Sequence, residues 1–218
     1  MKKVTLLLVC TALTLLATAQ PNAKYTSRMT ALVAEMDTAR TADQLTRLAI
    51  GFERVANAEK KEWLPYYYAA LCNINAAYAS IGGKMGDNTA ITDPTADKAE
   101  AQLNSALALT KENSETWLIK KQLASLRMMG NPMARYMEYG KVAEAALATA
   151  LKLDANNPRV YILQARDKYY TPEQFGGSKA EGKKLFGKAV DLFKVYKPET
   201  ALHPNWGLGE ATMFANIK

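Results

Sequence analysis

The sequence predicts an all-helical protein built from antiparallel helix pairs. Apolar residues recur at spacings of three and four along most of the chain, and short groups of Gly, Pro, Asn or Asp separate these periodic segments. Hydrophobic residues make up 49% of the 218 residues, with few glycines and prolines, which is typical of a globular helical protein. The pattern indicates about eight amphipathic helices and a C-terminal piece.

The N-terminal segment predicts export. Lys2 and Lys3 precede an apolar run that ends near Leu16, and the small residues of Ala17-Thr18-Ala19 follow it. This order is typical of a secretory signal peptide, which we assign to residues 1–19. The apolar run is shorter than the roughly 20 residues needed to span a bilayer. We therefore expect an exported protein, periplasmic or otherwise extracytoplasmic, with no membrane span after cleavage.

Cleavage leaves residues 20–218, which we expect to form a single helical domain. It removes Cys10, so Cys72 is the one cysteine of the mature chain and no disulfide can form within it. Cys72 lies in an apolar segment and is expected to be a small buried residue rather than a reactive thiol. A lipoprotein acylated on Cys10 is the weaker alternative, because no small residue directly precedes that cysteine.

Charge and residue content exclude several classes of function. Loss of Lys2 and Lys3 lowers the formal net charge from +7 to +5. The chain contains no run of five or more like charges, so its sequence does not support nucleic-acid or anionic-membrane binding. Acid–base catalysis by the sole histidine, His203, requires an orienting carboxylate and a positioned nucleophile, and no serine or cysteine lies in a strained-turn motif such as Gly-x-Ser-x-Gly. One histidine and one cysteine are too few for an ordinary zinc site. We expect no catalytic residues, metal site or cofactor.

The first three helices have clear boundaries. The first places apolar residues on one face, and Thr41 with Gln44 forms a capping box that opens the second. The third is predicted from Trp63 to Ile81, and Gly82-Gly83 ends it. Polar residues with Gly86 and Pro94 then predict a long loop over 82–95. The apolar face of the first helix consists of Tyr25, Met29, Leu32 and Met36.

Three later helices share a motif of a small, a large apolar and a small residue at spacings of four and three. Small residues let a neighbouring helix approach, and the large residue fills the space between the two helices. The motif therefore marks the second helix of a packed hairpin. Its three copies are Ala99, Leu103 and Ala106; Ala143, Leu147 and Ala150; and Gly182, Phe186 and Ala189.

These motifs resemble the tetratricopeptide repeat. Trp117 and Tyr161 each fall eleven residues after the last alanine of a motif, and residues 150–161 are similar to the junction between two such repeats. The resemblance implies a degenerate tetratricopeptide-like solenoid of antiparallel helix pairs, since the motifs recur at 44 and 39 residues rather than about 34. Residues 169–177 with Pro204-x-Trp206-Gly207 also resemble, more weakly, a periplasmic family associated with TRAP transporters.

The resemblance implies a binding function. First helices line the concave side of such a scaffold, and aromatic residues there are suited to hold an extended peptide. The candidate partner-binding residues are Tyr66, Tyr68 and Tyr170, whereas Trp117 and Tyr161 are expected to pack between helices. We expect a non-enzymatic scaffold for an envelope protein or peptide. The alternative is a carrier of a small apolar ligand, which an aromatic-lined pocket in place of an open groove would favour.

Overall fold

The computed structural model describes residues 22–84 and 86–217, so the predicted signal peptide lies outside the described residues. Within them the chain forms nine α-helices and a short 3-10 turn at Glu173–Phe175, and no strand. The all-helical prediction is confirmed. The helices are α1 (Ala23–Met36), α2 (Ala42–Glu59), α3 (Trp63–Ile81), α4 (Thr89–Leu107), α5 (Ser114–Gly130), α6 (Pro132–Leu153), α7 (Pro158–Tyr170), α8 (Lys179–Val195) and α9 (Leu208–Ala215).

Local sequence signals fix the helix ends. Thr41 accepts a hydrogen bond from the Gln44 amide while the Gln44 side chain bonds back to the Thr41 amide, which confirms the capping box. The Ser178 hydroxyl caps α8 by accepting from the Glu181 amide at 3.2 Å. Gly82 ends α3 with φ at 57°, a conformation that costs a glycine little.

The helices pack mainly against their neighbours in the chain. Each of the pairs α2 with α3, α3 with α4, α5 with α6 and α7 with α8 shares an extensive contact, and α5 also touches both α3 and α7. All nine residues of the small–large–small motifs are buried. These motifs are therefore correctly placed at helix contacts, and α3, α5 and α7 form an inner row.

The loop predicted over residues 82–95 is shorter than expected, because α4 begins at Thr89 and continues through Pro94. The Asp87 carboxylate accepts from the Thr89 amide at 2.9 Å, which starts the helix. The Arg135 guanidinium of α6 donates two hydrogen bonds to the Asp93 carboxylate in a bidentate arrangement, at 2.6 and 2.8 Å. These contacts hold the first turns of α4 in place and offset the lost proline amide, so the proline signal for a loop was wrong.

Two apolar clusters fill the interior. The larger joins α1, α2, α3 and parts of α4 and α5, and contains Cys72, which is fully buried as predicted. Burial raises the pKa of the Cys72 thiol to about 12, so it stays protonated at neutral pH. The smaller cluster joins α7, α8 and α9 with parts of α5 and α6. None of the helices in the described residues is long and apolar enough to span a membrane.

The contact of α7 with α8 at Gly182 gives a testable prediction. A Cβ atom at this position would lie 2.8 Å from Tyr169 Cβ and 3.1 Å from the Ala165 carbonyl oxygen. We expect Gly182→Ala to lower the free energy of unfolding by about 1–3 kcal/mol, because the two helices would have to separate. Urea unfolding followed by circular dichroism measures this change.

Gly187 on the same helix provides a matched control. No atom lies within 4 Å of a Cβ placed there, so Gly187→Ala should stabilise α8 by up to about 1 kcal/mol through helix propensity. Equal effects of the two substitutions would contradict close packing at Gly182.

Candidate functional site

A segment without regular structure crosses the inner row of helices. Residues 196–207, called the strap here, connect α8 to α9. Tyr68 of α3 donates a hydrogen bond to the Leu202 carbonyl at 2.9 Å, and Trp206 donates to the Tyr67 hydroxyl at 2.9 Å. The strap thus lies against the N-terminal part of α3.

A buried carboxylate holds the inner helices together beneath the strap. Glu115, in the first turn of α5, accepts a hydrogen bond from Tyr67 of α3 at 2.8 Å. It also accepts from Asn157 at 2.6 Å and from Arg159 Nε at 2.7 Å, both at the start of α7. Arg159 has no exposed surface and Glu115 is 8% exposed. One carboxylate therefore joins three helices in a part of the core where unpaired charge would be very costly.

Arg159 extends this network to the strap. Its Nη2 atom donates to the Tyr196 hydroxyl at 2.7 Å, and its guanidinium lies 4.5 Å from the centre of the Tyr196 ring. Tyr196 in turn donates to the Pro204 carbonyl at 3.2 Å, which folds the strap back on itself. The ion pair of Glu115 and Arg159 consequently sets the position of the strap.

The protonation states of the network are stable. Burial raises the pKa of Tyr67 well above its ordinary value, and the Glu115 carboxylate raises it further. Burial alone would lower the pKa of Arg159, but the Glu115 carboxylate outweighs burial and raises it. Tyr67 therefore stays neutral and Arg159 stays charged at physiological pH, so both remain hydrogen-bond donors.

The strap and α1 enclose a groove of about 260 Å³, called the strap groove here. Tyr68 contributes to it from α3, and Trp206 and His203 contribute from the strap. Trp206 is partly exposed, so part of its ring is available to a ligand. The remaining lining residues are Thr30, Val33, Ala34 and Met36 of α1, Asp37 directly after it, and Ala201 and Asn205 of the strap.

His203 is held inside the strap by its neighbours. Its Nδ1 atom lies 2.8 Å from the Thr200 hydroxyl, and its Nε2 atom lies 3.2 Å from the Glu199 carboxylate. Its ring also meets the Trp63 ring edge to face, with centroids 5.8 Å apart. Burial lowers the pKa of His203, although Glu199 partly opposes this shift. The imidazole therefore packs in its neutral form.

The structure separates the three tyrosines predicted to bind a partner. Tyr68 is fully buried and bonded to the strap, Tyr66 is half-buried on the same helix, and Tyr170 is 63% exposed at the end of α7. Tyr68 lines the strap groove, whereas Tyr66 and Tyr170 do not. Their role in binding stays a prediction. Tyr161 is buried and Trp117 is partly buried against the smaller core, which agrees with the packing expected for both.

Sequence reasoning missed the residues that build the site. Glu115 has the pattern of an ordinary acidic residue in the first turn of a helix, and Arg159 follows a proline at a helix start. From the sequence, neither Glu115 nor Arg159 can be distinguished from an ordinary solvent-exposed charged residue. The aromatic residues of the strap, at positions 196 and 206, were the available signal, because a loop rarely carries large rings unless they pack.

Within residues 22–84 and 86–217, no group of three or more His, Cys, Asp or Glu side chains is arranged to hold a metal ion. Arg159 and the tyrosines at positions 67 and 196 supply most of the polar contacts beneath the strap. The described part of the site thus consists of an aromatic groove beside a buried ion-pair network.

The geometry defines the chain as an all-helical protein in which a strap turns part of the inner face into a groove. Neither a family model nor a curated protein matches its sequence. Among solved structures it is similar to the HusA haemophore from Porphyromonas gingivalis, with 31% identity over 92% of each chain and a TM-score of 0.74. The chain belongs to the same family as this haemophore. The tetratricopeptide resemblance, which these comparisons do not test, stays a prediction.

The buried ion pair gives a second prediction. We expect Arg159→Met to lower the free energy of unfolding by about 3–5 kcal/mol, because it leaves the Glu115 carboxylate buried without its cation. Urea unfolding measures the loss. Lys194 and Asp191 form an exposed pair, so Asp191→Asn is the control and should leave stability nearly unchanged. Similar small effects of both substitutions would show that the network contributes little.

The lowered pKa of His203 predicts how the free energy of unfolding depends on pH. Since its pKa is lowered in the folded protein, the unfolded chain binds a proton more readily. The stabilisation is complete above the ordinary histidine pKa of about 6.5 and is lost as pH falls through the lower folded value. Because the sequence has 1 histidine, His203→Gln should remove this component from denaturation curves recorded at several pH values. If the difference in free energy of unfolding between wild type and His203→Gln stayed constant across this pH range, the assignment to His203 would be contradicted.

Proposed function

We propose that the protein is an exported carrier of a flat, largely apolar ligand of the haem class, and that the strap groove holds it. The observation that carries this proposal is the aromatic groove between the strap and α1, in a chain 31% identical to a haemophore. This proposal is the alternative that the sequence offers, a carrier of a small apolar ligand. Export rests on the predicted signal peptide over residues 1–19.

The groove has the surfaces that a flat macrocycle needs. The partly exposed Trp206 ring offers a face for stacking, and Val33 and Met36 supply apolar contacts from α1. Polar side chains, among them Thr30 and Asn205, lie along the same groove and can orient acid groups at the edge of a ligand.

The size of the groove indicates how a ligand would sit. Its volume of about 260 Å³ is near the lower limit of small-ligand sites, which span roughly 300–1,000 Å³. A macrocycle would therefore be held along one edge, or the strap would move outward from α1 to widen the groove. Outward movement of the strap would strain its hydrogen bonds with Tyr67, Tyr68 and Arg159.

His203 is the histidine available to an iron atom, but both of its ring nitrogens already have partners within the strap. Coordination would require the Nε2 atom to leave Glu199. We therefore expect contacts with the apolar body of the ligand to supply most of the affinity.

A protein- or peptide-binding scaffold is the weaker proposal. The strap covers the N-terminal part of α3, and Tyr68, one of the residues assigned to that function, bonds to the strap. An extended peptide would have to displace these contacts before it reached the inner helices.

Titration with haem tests the carrier proposal. We expect a saturable change in haem absorbance and quenching of tryptophan fluorescence, because Trp206 and Trp63 lie at or beside the groove. Ala34 is exposed and lines the groove, so Ala34→Phe should fill it and weaken binding about tenfold or more.

Ala31 is the matched control, since it is exposed on the same helix but does not line the groove. Ala31→Phe should bind haem like wild type. Equal binding by both variants would place the ligand elsewhere on the protein, and no binding by wild type would reject a ligand of this class.

A further inference from the structure

A second groove lies on the other side of α1, between α1 and α2. It encloses about 300 Å³ and combines three arginines with an apolar floor. Leu32 and Leu48 form the floor and are at most 5% exposed, and Ile50, 38% exposed, lies at the rim. We call it the arginine groove; Gly51 and Glu35 complete its lining, with Arg28, Arg47 and Arg54.

A glycine keeps the floor open. A Cβ atom at Gly51 would lie 2.8 Å from Leu32 Cδ2, so any larger residue would push into the leucine or force α1 away from α2. Because Gly51 has no side chain, the two helices approach closely and leave a shallow apolar bed between the arginine side chains.

The charges in the groove are unbalanced. Among residues 22–84 and 86–217, none of the three arginines has a carboxylate within salt-bridge distance. Since α1 and α2 are consecutive helices joined by a short turn, they run antiparallel. Arg28 near the start of α1 and Arg54 near the end of α2 therefore share one end of the groove, and Glu35 lies toward the other end with Arg47.

Two like charges at one end of an apolar bed repel each other unless an anion joins them. A carboxylate can accept parallel hydrogen bonds from guanidinium groups, and the apolar body attached to it can pack against the exposed Ile50 side chain and the methylene stems of the arginines. A purely apolar molecule would leave the arginines unpaired, and a small inorganic anion would make no contact with Ile50, which is 38% exposed. The groove thus fits a molecule with both features.

We propose that the arginine groove is a binding site for a small amphipathic organic acid, with its carboxylate between Arg28 and Arg54 and its apolar body against Ile50 and the arginine stems, above the buried floor. The site is separate from the strap groove and does not depend on the carrier function proposed above. The occupant is a free acid of low molecular weight.

Calorimetric titration with 2-naphthoate tests the site, with 2-naphthalenemethanol as the neutral ligand of the same shape. We expect the acid to bind and the alcohol to bind much more weakly, with the affinity of the acid falling as salt is added. Arg28→Gln and Arg54→Gln should each weaken naphthoate binding about fivefold, a modest loss because both side chains are exposed. Arg54→Lys should keep part of the affinity, since it keeps the charge but not the planar donor pair.

Lys24→Gln is the matched control, because it removes one positive charge from the exposed surface of α1 outside the groove. It should leave naphthoate binding unchanged, and circular dichroism confirms that each variant is folded. Equal binding of acid and alcohol, equal losses in Lys24→Gln and Arg54→Gln, or binding only to vesicles of anionic lipid would overturn the proposal.

Haem titration of the same variants separates the two proposals. Arg54→Gln should bind haem like wild type, and Ala34→Phe should bind naphthoate like wild type. If Ala34→Phe instead abolished naphthoate binding, the acid would occupy the strap groove and the arginine groove would not be its site.

Discussion

The carboxylate of Glu115 is the contact on which the rest of the structure depends. It accepts hydrogen bonds from Tyr67 of α3 and from Arg159 of α7, so three inner helices meet at one buried group. A buried pair of this kind seldom adds net stability over an apolar core, but it fixes geometry, because any other arrangement leaves a charge unpaired. The N-terminal ends of α3, α5 and α7 are thereby held in register.

The strap groove follows from this register. Arg159 reaches the strap through Tyr196, and Tyr67 reaches it through Trp206, so two of the three partners of Glu115 also anchor the strap. The width of the groove between strap and α1 is therefore set by contacts on the far side of the strap. A ligand that widened the groove would strain the hydrogen bonds between the strap and the ion-pair network. The space available to a ligand therefore depends on how rigidly the core holds these bonds.

Local patterns predicted the helices, their caps and the small–large–small contacts because each depends on residues close in sequence. Gly182 and Ser178, for example, act on neighbours within α7 and α8. The site was not predictable in the same way. The bond from Tyr68 to the Leu202 carbonyl spans 134 positions, and no periodicity marks a segment whose structure is defined by tertiary contacts. Pro94 failed as a loop signal for the same reason, since Arg135 lies in another helix.

The first helix separates two grooves of different chemistry. α1 has 14 residues and buries one face, formed by Tyr25, Met29, Leu32 and Met36, so its two flanks remain open to ligands. Helices with a single packed face open more readily than fully buried ones, because few buried contacts hold them. A ligand in either groove binds only while α1 is docked, and each ligand therefore stabilises α1 by mass action. A ligand bound in one groove would therefore favour the docked position of α1, which also forms a wall of the other groove.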